Sequence, residues 1–94
     1  MNEFHFAVRM CRQMPKGTVS ELKFRMNGQT DRTVFVPNGS DDNFVFYYWA
    51  DWEDNTVKFH YDEPARFGVV AQCSSFEEAM QVAEEHALAT SLKY

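Results

Sequence analysis

The chain has 94 residues, 45% of them hydrophobic and 16% aromatic, and a net charge of −5. That length suits one domain, 1–94, and the apolar fraction is enough for a core without metals or disulfides, which excludes wholesale disorder. Cys11 and Cys73 form neither a disulfide framework nor a Cys-x-x-Cys knuckle, and no long apolar run follows the first residues, so reduced thiols and a cytoplasmic, membrane-free protein are expected.

Phe4, Phe6, Val8 and Met10 alternate with His5, Ala7, Arg9 and Cys11, the period-two pattern of a strand with one buried face. Residues 13–18, Gln-Met-Pro-Lys-Gly-Thr, hold proline and glycine in turn-forming positions and read as a loop. Leu22, Phe24 and Met26 then alternate with Glu21, Lys23 and Arg25. Asn27-Gly28 signals a two-residue hairpin turn into a third strand, Thr33–Val36, which Pro37-Asn38-Gly39 stops. After a polar loop over 38–43, Phe44–Ala50 is a run of β-forming residues. Asp51–Asn55 makes an acidic turn, and Val57, Phe59 and Tyr61 alternate with Lys58, His60 and Asp62, so these two strands form a second hairpin. Asp62-Glu63-Pro64 ends it, and Phe67–Cys73 reads as a last strand.

The C-terminal segment is helical. Ser75-Phe76-Glu77-Glu78 has capping-box spacing, with Ser74 and Glu77 as an alternative one residue earlier, and the acidic first turn suits the helix dipole. Phe76, Ala79, Met80, Ala83 and Ala87 share one helical face, and Glu77, Glu78, Gln81, Glu84 and Glu85 cover the other. His86 lies on the polar flank near the end of this pattern, where it would act on the dipole. The fold class expected is α+β: an antiparallel sheet of about five strands with one C-terminal amphipathic helix packed on one face.

Charge is polarised along the chain. Met1 to Val36 carries six basic residues (Arg9, Arg12, Lys16, Lys23, Arg25, Arg32) against three acidic ones, whereas Pro37 to Tyr94 carries three basic residues against eleven acidic ones. A field of one sign steers partners of the other.

One strand does not fit the alternation. Phe44-Val45-Phe46-Tyr47-Tyr48-Trp49 is apolar on both faces. If the helix covers the side carrying Phe6, Phe24 and Phe59, then Tyr47 and Trp49 point outward, either as an interface patch or covered by long neighbouring side chains that stack on the rings. Beside them lie acidic clusters: Asp41-Asp42 in one loop, then Asp51, Glu53 and Asp54 with Trp52 in one turn. These residues define the expected site, Tyr47, Trp49, Trp52, Asp51, Glu53, Asp54, Asp41 and Asp42. Its partner would be a basic, nucleic-acid-handling protein, bound and inhibited by carboxylates that imitate phosphate spacing. Small phage-encoded anti-restriction and anti-CRISPR inhibitors act this way as a class, and no motif places this chain among them, so the analogy is functional only. A homodimer closing the aromatic face is another expected occupant.

The alternative is a single-stranded nucleic-acid module. The assumed alternation gathers Arg9, Lys23, Arg25, Lys58 and His60, with His5, on the outer sheet face among aromatic rings, as stacking and phosphate binding require. An acidic chain with a pI near 5.0 lacks the usual electrostatic footprint for it. No catalysis, cofactor or metal is expected: Ser40–Asn43 and Asp51–Asn55 lack the order of a calcium loop. On one strand, His5 and Cys11 would stand about 20 Å apart, too far to act as a pair.

Overall fold

A computed structural model describes residues 3–25, 31–39, 46–51, 55–61 and 66–93. In chain order the elements are α1 (Glu3–Met10), continued by a 3-10 turn (Cys11–Gln13), β1 (Val19–Arg25), β2 (Asp31–Pro37), β3 (Phe46–Asp51), β4 (Thr56–Tyr61), β5 (Arg66–Gln72) and α2 (Phe76–Lys93). The five strands form one antiparallel sheet in the order β1-β2-β3-β4-β5. Consecutive strands are neighbours, so short connections suffice and no crossover is needed. This is the expected α+β architecture, with α2 packed on one sheet face.

Ala79, Ala83 and Ala87 of α2 are buried, and Ser91 continues their four-residue spacing one turn further. Small side chains let the helix lie close to the sheet, where Phe35, Ala50 and Val57 complete this core and Phe76 and Met80 pack at its edge. Ser75 Oγ accepts the Glu78 N–H at 3.2 Å and so caps the helix. The Glu78 carboxylate reaches back to Ser74, accepting from its hydroxyl at 2.6 Å and its N–H at 3.2 Å. The box thus closes on both serines. The helix runs about two turns past His86. His86 therefore does not sit at the helix end as expected; its ring lies 5.9 Å from that of Tyr48.

Residues 4–10 are helix rather than strand, which corrects the sequence reading. Phe4, Val8 and Cys11 fall at i, i+4 and i+7, a helical period that coexists with the alternation. In so short an apolar run both periods fit, and packing decides between them. Val8 and Cys11 are buried against Leu22, Val34, Val36 and Trp49, so α1 covers the sheet face opposite α2. Phe6 and Met10, which a strand would have buried, stand exposed. Along a helix, six residues rise only about 9 Å, so the separation of His5 from Cys11 argued from a strand does not hold.

Directly paired residues of antiparallel strands share a face. Lys23, Thr33, Ala50 and Val57 therefore line the α2 side, and Leu22, Val34, Trp49 and Lys58 the α1 side. A two-residue turn at Asn27-Gly28, which lies outside the described residues, would have set Leu22 opposite Thr33. The observed register is one residue on, with Leu22 opposite Val34 and Arg25 opposite Asp31. A slip of one residue exchanges the faces of a strand, which puts the apolar side of β1 under α1.

A buried polar knot joins α2 to the start of the sheet. The Asn38 amide donates to Thr18 Oγ1 and accepts from the Ser20 hydroxyl, both at 2.9 Å. Its backbone carbonyl accepts the Ser91 hydroxyl at 2.8 Å, and Ser91 Oγ accepts the Gly17 N–H at 2.8 Å. Gly39, at φ +76°, donates its N–H to the Cys11 carbonyl at 3.0 Å. A Cβ there would meet Lys16 Cα at 2.8 Å, so only glycine fits.

Candidate interaction surface

The first turn of α2 is held at the sheet end where β3 meets β4, because the Cys73 N–H donates to the Asn55 carbonyl at 2.9 Å. Glu77 and Glu78 in that turn and Glu84 and Glu85 along the same helix are exposed. Asp51 closes β3 at this end, and Trp52, Glu53 and Asp54, which lie outside the described residues, link it to Asn55. The acidic start of α2 is therefore held at the sheet end where Asp51 closes β3.

Asp41 and Asp42 also lie outside the described residues. The chain on either side of them, Gly39 and Phe46, belongs to the other end of the sheet, since Phe46 pairs with Tyr61 while Asp51 pairs with Arg32. The two acidic connections therefore leave opposite ends of strands about 20 Å long.

Trp49 is not the exposed anchor that the alternation suggested. It is only 7% exposed, enclosed by Val8, Cys11, Val34 and Val36, with the Arg32 guanidinium 4.6 Å from its ring centroid. The reason is α1, which occupies the face assumed to be open, and the stacked arginine is the cover that the alternative reading of this strand anticipated. Tyr47 shares the register of that face through its pairing with His60, and its side chain lies outside the described residues.

The basic residues do not share one face either. Lys23 and Arg25 take register positions on the α2 side, Lys58 and His60 on the α1 side, and Arg9 is exposed on α1 itself. The one-residue register difference and the helical N-terminus together separate them. The side chains of Arg25 and His60 lie outside the described residues.

Among the described residues ionisation is shifted in three places. The Ser74 hydroxyl, and then its backbone N–H, hold the Glu78 carboxyl below the usual glutamate range. Burial pushes the Cys11 thiol up despite a bond from Ser20. Loss of solvent, and then the negative Glu78, push Cys73 up. Both cysteines are therefore held as thiols at neutral pH and are poor nucleophiles.

Tyr48 donates its hydroxyl to Thr90 Oγ1 at 2.8 Å, since the Thr90 hydrogen goes to the His86 carbonyl at 2.9 Å. This bond, like the knot around Asn38 and Ser91, joins residues far apart in the chain and has no local sequence signal. Leu88 and Leu92, exposed on α2, break the polar pattern of its outer face and could have been read from their spacing.

Among the described residues no helix is long and apolar enough to cross a membrane. Comparison with protein-family models, with curated proteins and with solved structures finds no match. What is shown is the class, an α+β domain built on an antiparallel five-stranded sheet.

Proposed function

We propose that this chain is a small, acidic, non-enzymatic interaction protein that docks onto a basic partner through the sheet end formed by Asp51, the connection to Asn55 and the first turn of α2. The observation that supports this most is the Cys73–Asn55 backbone bond, which sets Glu77 and Glu78 beside a connection whose sequence adds Glu53 and Asp54. Like charges gathered at one end of a small domain repel one another, and an opposite charge on a partner relieves that repulsion. Proteins with grooves of matching sign are those that handle nucleic acid, so carboxylates standing in for phosphates would occupy such a groove and inhibit its owner.

Affinity capture from the native host tests this, run in parallel with a variant carrying Asp51→Lys, Glu53→Lys, Asp54→Lys and Glu77→Lys. Glu78 is left in place because it closes the helix cap. The wild type should retain a basic protein that the variant loses. Equal retention by both proteins contradicts the proposal.

A further inference from the structure

Pro37-Asn38-Gly39 ends β2 and sets an asparagine directly before a residue with no side chain. In a free chain that pair is reactive. The Gly39 nitrogen gives its proton to solvent base and forms a bond to Asn38 Cγ, the Cγ–Nδ2 bond breaks, and ammonia leaves. Water then opens the cyclic imide at one of its two carbonyls, giving aspartate or isoaspartate. Glycine favours the ring closure because no Cβ obstructs the approach of its nitrogen.

In the folded protein the groups that this reaction uses are tied down. Asn38 is only 3% exposed, and its carboxamide is held at both ends, Nδ2 donating to Thr18 Oγ1 and Oδ1 accepting from Ser20, each at 2.9 Å. Its N–H donates to the Thr18 carbonyl at 3.1 Å and its carbonyl accepts the Ser91 hydroxyl at 2.8 Å, which fixes the backbone on either side. The attacking nitrogen directs its hydrogen to the Cys11 carbonyl at 3.0 Å. From these contacts we infer that Asn38-Gly39 is a latent self-modification site that the polar knot holds closed, reacting only in molecules whose knot has opened. The product does not rebuild the knot. An aspartate has no N–H for Thr18 Oγ1, whose own hydrogen goes to the Pro15 carbonyl at 2.6 Å, and it places a charge where the asparagine was buried. An isoaspartate adds a main-chain carbon between the Asn38 and Gly39 nitrogens, whose bonds to Thr18 and Cys11 set their separation. Each conversion therefore leaves a molecule that opens more readily, and the lifetime of the native protein follows how often the knot opens. Ser91 couples that opening to the docking of the end of α2. None of these residues belongs to the acidic docking end, so the inference stands apart from the function proposed above.

Timed incubation of the full chain in mildly alkaline buffer, followed by peptide mapping with mass spectrometry, tests this on the wild type, folded and in denaturant, and on folded Ser91→Ala and Ser20→Ala. Circular dichroism confirms folding, and the two variants are independent, so one that does not fold leaves the other to decide. In denaturant the wild type should convert at Asn38 and also at Asn27, whose Asn27-Gly28 pair lies outside the described residues and serves as the internal standard. Folded wild type should keep the Asn38 amide over the time in which the denatured chain loses it. Each folded variant lacks one bond of the knot and should convert at Asn38 at least about fivefold faster than the folded wild type. Asn38→Asp, which imitates one product, should unfold at a lower denaturant concentration than the wild type. Folded wild type that converts Asn38 as fast as the denatured chain, folded variants no faster than the wild type, or an Asn38→Asp chain as stable as the wild type overturns the inference.

Discussion

Truncating Trp49 to alanine empties a site lined by Val8, Cys11, Val34 and Val36 and removes the ring on which Arg32 lies. Cavity and transfer costs together should destabilise the fold by about 3–5 kcal/mol, read as a lower denaturant midpoint. An exposed anchor would instead have left stability unchanged. Ser91→Ala makes a different kind of loss: it strands the Gly17 N–H and the Asn38 carbonyl, both bonded to this hydroxyl. About 1–3 kcal/mol is expected, measured the same way. Neither role was legible beforehand. Trp49 looked outward because the element covering it had been read as a strand, and Ser91 looked like an ordinary polar helix residue because its partners come from positions 17 and 38.

At the scale of elements, what is local was legible and what depends on register was not. The cap of α2 lies within five residues and was read correctly in kind. Ser75→Ala should lower stability by about 1 kcal/mol. Glu78 adds a pH dependence whose sign is fixed: its folded-state value is depressed by Ser74, so its contribution is present above the unfolded glutamate range. That contribution is lost as the pH falls through the folded-state value. Glu78→Gln should therefore reduce stability at neutral pH and flatten the acid limb of an unfolding titration. All five strands also follow from β-forming runs bounded by turn residues, with β3 the one that lacks alternation. Helix α1 did not, since Phe4, Val8 and Cys11 satisfy a helix while Phe4, Phe6 and Val8 satisfy a strand. The faces of β1 were misassigned because Asn27-Gly28 argued for a two-residue turn, and the strands pair one residue on.

For the whole molecule, the consequence is where charge resides. The basic face assembled from Lys23, Arg25, Lys58 and His60 divides between two sides of the sheet. What stays together is the end of β3 at Asp51, Asn55 and the start of α2, and the proposed function rests on that end. The most direct test is a titration of the captured partner with the wild-type protein across a range of ionic strength. Charge-driven docking predicts that affinity falls steeply as salt rises, with most of the loss in the association rate. An affinity that stays flat from low to high salt would contradict the account.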